Sequence, residues 1–155
     1  MIDLPTESNN HKEWQLGLFK KHPILFQENT LPPSETCMCW GIDVQLGWYD
    51  LIEELCEQLQ NIMNDNPGTQ IIARQVKEKF ACLHFYYDTS FPNDMPQDMA
   101  DTLDSQIQKI ICAYEEKSMT ICEHCGAKGA RMRPGGWKTT LCNQCEEKRM
   151  AGVSP

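Results

Sequence analysis

The chain is predicted to fold as an α+β protein. A small body of helices on a short antiparallel sheet precedes a C-terminal zinc module of the zinc-ribbon or treble-clef kind. Three observations predict this. Residues 48–63 and 96–118 repeat apolar side chains with the period of a helix. Between them, residues 70–88 switch to the alternation of half-buried strands. Last, two Cys-x2-Cys pairs, at 122–125 and 142–145, have the spacing of a four-thiolate metal site.

In chain order, residues 10–21 read as a short helix. Asn10 followed by Glu13 has the capping-box pattern, Trp14 and Leu18 share a face, and Pro23 stops the run. Residues 27–38, with Pro32-Pro33, read as an extended connector. The segment Trp48–Met63 is the strongest helix: Leu51, Ile52, Leu55, Cys56, Leu59, Ile62 and Met63 form its apolar face, and Asn66-Pro67-Gly68 ends it. Ile71–Val76 and Leu83–Asp88 read as paired strands, with Leu83, Phe85 and Tyr87 facing the core. Pro96 suits the first turn of the next helix, whose stripe is Met99, Leu103, Ile107, Ile110 and Tyr114.

Bulk properties bound the function. The 155 residues are 41% hydrophobic and 23% charged, enough for a packed core. Residues 1–116 hold seven Lys and Arg against nineteen Asp and Glu; residues 117–155 hold seven against three. The balances, −12 and +4, place a boundary near residue 116 between an acidic α+β body (1–116) and a cysteine module (117–155). A net charge of −8 argues against a whole-surface nucleic-acid coat. No apolar run suits a bilayer span and the N-terminus lacks a signal-peptide pattern, so a cytoplasmic location is expected. In a reducing compartment nine cysteines point to metal or free thiols before disulfides.

Cys122, Cys125, Cys142 and Cys145 are the candidate ligands of one structural Zn2+ per chain. Each C-x2-C turn lets two sulfurs grip one ion, and two turns complete a tetrahedron. Gly126 suits a tight knuckle, Pro134-Gly135-Gly136 signals a hairpin turn, and residues 146–150 can open a helix. Four cysteines leave no open coordination position, so the zinc is expected to be structural; His124 reads as an exposed knuckle residue.

Other signals are weaker. Cys37 and Cys39 could join a second metal site with His22 or His84, but free thiols are the simpler reading. Cys56, Cys82 and Cys112 read as core residues. Asp50, Glu53, Glu54 and Glu57 form an acidic helix face: a solvated surface by default, a partner-binding surface if the chain acts by contact. Arg131, Arg133, Trp137 and Lys138 combine cations with an aromatic, as nucleic-acid surfaces do. No nucleophile motif or phosphate-cradling glycine loop is present, which gives no positive reason to expect an enzyme.

The blocks Gly47-Trp48-Tyr49-Asp50-Leu51-Ile52, Gln75–Phe80 with Leu83-His84-Phe85-Tyr86, Ile121–Gly126 and Trp137–Cys142 resemble, in order, a family of small uncharacterised bacteriophage and prophage proteins. The family pattern has two glycines after its Lys-Phe pair, where this chain has Ala81-Cys82, so a tight glycine turn is not carried over. The family has no established activity to carry over; the resemblance implies a phage accessory protein, located then in the host-cell cytoplasm, and small, acidic, non-enzymatic phage proteins are the relevant class. Proteins of that class often bind and block a host protein, including components of antiviral defence. A nucleic-acid-binding or transcription-associated zinc-ribbon protein is the alternative.

Overall fold

A computed structural model describes residues 7–152. The elements in order are helix α1 (Glu7–Lys21), strand β1 (Ile42–Asp43), helix α2 (Tyr49–Asp65), strands β2 (Gln70–Lys79) and β3 (Cys82–Ser90), helix α3 (Gln97–Ser118), strands β4 (Arg131–Arg133) and β5 (Thr139–Leu141), and helix α4 (Asn143–Met150). The class is α+β. Among the described residues no helix is long and apolar enough to cross a membrane.

The body is built on the β2–β3 hairpin, with α2 and α3 packed on each other and on the strands. The apolar face of α2 is buried as its period requires, with Ile52, Leu55, Cys56 and Leu59 at 0% exposure. On α3 the buried stripe runs Ala100, Leu103, Ile107, Ile111, while Met99 faces solvent and Ile110 and Tyr114 pack at its margin. The stripe is therefore rotated from the expected one, because α3 also lies along β3. There the Ser118 hydroxyl and the Glu115 carboxylate accept the Leu83 and Phe85 backbone N–H groups, each at 2.9 Å, and satisfy donors of an edge strand.

The β2–β3 pair is antiparallel as expected; one expectation is extended and two are corrected. The sheet is mixed, in the order β1-β2-β3, because two-residue β1 pairs parallel to β2 (Ile42 with Val76, Asp43 with Lys77). Helix α1 begins at Glu7, so Asn10 lies within it and cannot cap it. His11 Nε2 lies 2.8 Å from the Ile42 carbonyl oxygen and Trp14 stacks on Tyr49 at 3.8 Å, which ties this helix to β1 and α2. Finally, residues 27–38 are not extended but continue a run of turns that starts at His22. Successive turns (Phe26 N–H to His22, Asn29 to Phe26, Leu31 to Glu28, Glu35 to Pro32) fold them tightly and bury Leu25 and Phe26 completely.

One of those turns carries Glu28, 6% exposed. A bulge between Ala73 and Gln75 lets Arg74 reach it, and Arg74 Nη1 donates to both Glu28 oxygens at 2.8 Å. The Arg74 side chain is 45% exposed, so water screens part of the pair. Arg74→Ala strands a buried carboxylate and is expected to cost about 2 kcal/mol, below the ~3–5 of a fully buried pair. Glu28→Gln should cost less than about 1 kcal/mol. Urea unfolding of both variants checks the order.

The β2–β3 turn is tight although it lacks glycine. Phe80 and Ala81 adopt φ of 54° and 63°, a left-handed conformation that costs an L-residue about 1 kcal/mol. It is held from both sides. Glu78 Oε1 accepts the Ala81 N–H at 2.7 Å, and the buried Thr140 hydroxyl of β5 donates to the Ala81 carbonyl at 2.6 Å.

Candidate metal centre

The C-terminal unit runs from a knuckle at 122–126 through the β4–β5 hairpin into α4, a treble-clef-like order. In the knuckle the Gly126 N–H donates to the Cys122 carbonyl (2.8 Å) and the Cys122 N–H to that of Ala127 (2.9 Å). Gly126 adopts φ 80°, the conformation that spares glycine a Cβ clash. Cys142 occupies the N-cap of α4 and its sulfur accepts the Cys145 N–H at 3.4 Å, so Cys145 sits in the first turn.

These turns bring the sulfurs of Cys122, Cys125, Cys142 and Cys145 within 4.8 Å of one another. Cys125 and Cys142 are 3.7 Å apart, sulfur to sulfur. Ligands at about 2.3 Å in a tetrahedron stand roughly 3.8 Å apart, whereas a disulfide needs about 2.05 Å. The set fits one metal ion and excludes pairing as it stands. The Cys145 N–H holds the Cys142 thiol down to about 7, and burial pushes the Cys125 and Cys145 thiols up. A bound cation would deprotonate all four.

Little else stabilises the unit. Its buried cluster is Cys122, Ala130, Leu141 and Cys145, so two of the four members are candidate ligands. A core that small does not fold unaided. The unit also leans on the body. The Gly47 N–H donates to the Glu123 carbonyl at 2.7 Å, and Nε1 of fully buried Trp48 donates to that of Ile121 at 2.9 Å. A Cβ on Gly47 would stand 2.1 Å from the Cys122 carbonyl oxygen, so only glycine fits there.

A cleft of about 600 Å3 opens where this unit meets the body. Glu123 lines it and is 3% exposed; burial first, then the Glu78 and Asp43 charges, push its carboxyl up to about 7, against the pull of the Gln45 backbone N–H.

The other predicted site residues fall out differently. Among the described residues, the four cysteines are the sole group of three or more potential ligands close enough to hold an ion. Cys37 and Cys39 therefore join no second site with His22 or His84. Cys56 is a core thiol that burial pushes up, Cys82 is half-buried, and Cys112 is exposed, contrary to expectation, because it lies off the buried stripe of α3. His124 faces Gln45.

The acidic face of α2 is largely committed within the chain. Glu53 accepts from Trp14 Nε1 at 2.7 Å, Glu54 pairs with Lys117 at 3.2 Å and Glu57 with Lys21 at 2.6 Å. Among the described residues Asp50 alone of the four has no such partner. In the basic set Arg131, Trp137 and Lys138 are exposed, but Arg133 is 7% exposed and donates to the Leu141 carbonyl and to Asn143 Oδ1 at 2.8 Å. Its guanidinium holds the hairpin to α4 and is not presented to a ligand.

Sequence reasoning missed Gly47, Trp48 and Thr140 as docking residues and Glu123 as a cleft residue. The resemblance blocks contain all four, but nothing in their local pattern marks a contact across some 70 residues. Comparison with protein-family profiles, with curated proteins and with solved structures finds no match.

Proposed function

We propose that the chain is a structural-zinc protein that acts by contact and not by turnover: a bacteriophage accessory factor that binds and inhibits a host protein of antiviral defence. The observation that carries the first half is the closed set of four sulfurs. A catalytic zinc keeps a position for water or substrate, and four thiolates leave none. Cys122, Cys125, Cys142 and Cys145 would hold the ion, and its role would be to fix the knuckle, hairpin and α4 against Gly47 and Trp48. The acidic body and the free Asp50 support a basic partner surface, and the sequence resemblance supports the phage origin.

The test is a complex rebuilt from purified parts. A host protein captured on the tagged chain should bind it again in isolation and lose its own activity at stoichiometric ratio. Asp50→Lys with Glu54→Lys should weaken that complex at least tenfold, since charge reversal in a complementary interface costs about 1.4 kcal/mol or more. An unchanged affinity in the double variant removes the acidic face from the interface.

One observation favours a second reading, nucleic-acid binding: Arg131, Trp137 and Lys138 remain exposed on the β4–β5 hairpin. Phosphate contacts there would give steep salt dependence, lost on replacing Arg131 and Lys138.

A further inference from the structure

We propose that the cleft between the β2–β3 turn and the β4–β5 hairpin binds a nucleotide unit, taking the base and phosphate of a free nucleotide or of one residue in a single strand. The proposal deepens the nucleic-acid reading of Trp137 and Lys138 and rests on it. It goes beyond the host-protein reading.

Four features of the cleft converge on that chemistry. Glu123 lines it with Oε2 buried and without a hydrogen-bond partner, although the residue is 97% buried. A buried acceptor left unpaired costs about 1–3 kcal/mol, and an N–H donor of a ligand would recover it. Phe80 and Trp137, on opposite elements of the lining, are 71% and 73% exposed, an uncommon outlay of aromatic surface. Phe80 is displayed by the left-handed turn described above, at a residue where glycine would be easier. Backbone strain that presents a side chain to a cleft is the kind that ligand sites retain. Last, Lys77 and Lys79 of β2 and Lys138 of the hairpin line the cleft from its two sides, with Asp43 and Glu78 among them.

A nucleotide uses all of these at once. Its base stacks on the aromatics, its Watson–Crick edge donates to Glu123, and its phosphate meets the lysines. A Lys or Arg side chain from a protein partner would use the acids and the rings but leave Lys77, Lys79 and Lys138 unused. The volume, about 600 Å3, lies in the range of small-ligand sites.

Calorimetry on the zinc-loaded full chain tests this with two probes: guanosine monophosphate, whose adjacent N–H donors suit a carboxylate, and a mixed-sequence single-stranded RNA of about a dozen nucleotides. Binding of either probe is expected. Phe80→Gly, Trp137→Ala and Glu123→Gln should each weaken it about tenfold or more, with metal content unchanged. Phe80→Gly relieves the left-handed strain, so its melting temperature should be equal or higher, which separates lost binding from lost folding. Equal sensitivity of both probes identifies a free-nucleotide site; binding of the RNA alone, with the same losses, identifies a strand-reading one. RNA binding that falls with Arg131→Ala but ignores Phe80→Gly and Glu123→Gln overturns the cleft and leaves the nucleic-acid reading standing. Absence of binding to both probes overturns the two together.

Discussion

Cys122→Ser is expected to release the metal and unfold the chain from about residue 120 onward while α1–α3 and the β2–β3 hairpin persist. Cys122 is fully buried and supplies one of four sulfurs. A serine there leaves three thiolates and a buried hydroxyl with no cation to meet. Structural zinc contributes on the order of 10–16 kcal/mol of binding free energy in small modules, which is also their folding free energy. The four-residue cluster beneath β5 has nothing comparable to replace it. Cys142→Ser and a strong chelator should act alike. Hydrogen exchange by mass spectrometry would show protection lost across the knuckle, hairpin and α4, and kept in the body core of Ile52, Leu55, Ile71 and Ile107. Wild-type protection of residues 121–150 in the serine variant would mean that the ion does not hold this unit together.

Gly47→Ala should separate the two units without touching a ligand. The added methyl would lie 2.1 Å from the Cys122 carbonyl oxygen and 2.4 Å from that of Glu123, both backbone atoms with no rotamer to yield. Overpacking of this kind costs about 1–3 kcal/mol. The shift that relieves it also lengthens the Gly47 and Trp48 hydrogen bonds to the knuckle, at about 1 kcal/mol each. A total of roughly 3–5 kcal/mol corresponds to a fall in melting temperature on the order of 10 °C. Zinc stoichiometry should be retained, because all four sulfurs remain. Metal kept and docking lost distinguishes this variant from the serine one. A variant as stable as the native chain would show that the knuckle can back away from Gly47 at no cost.

What the sequence revealed, and what it hid, divides by range of interaction. Helix α2 was legible because seven apolar residues fall on one face, and β3 because Leu83, Phe85 and Tyr87 alternate with polar neighbours. The thiolate spacing was legible because a C-x2-C turn is local. Two-residue β1 has no period to read. Its place beside β2 depends on His11 and Gln15 of α1, which bond the Ile42 carbonyl and N–H. Residues 27–38 looked like an open connector because Pro32-Pro33 and polar residues dominate, yet they continue a run of turns from His22 that Leu25 and Phe26 anchor in the core. Charge patterning misled most. Arg133 read as a surface charge, but its guanidinium is buried and ties a hairpin to α4, while Glu57 is exposed as read and pairs with Lys21, a partner that no local window contains.

The central claim is that one tetrahedral zinc on four thiolates fastens the C-terminal unit to the body. X-ray absorption at the zinc edge, on protein whose metal content has been measured by elemental analysis, tests it most directly. The expected result is about one zinc per chain, surrounded by four sulfur atoms at about 2.3 Å. Less than a tenth of an equivalent of zinc in protein prepared without chelator, or a shell containing nitrogen or oxygen in place of sulfur, would contradict it.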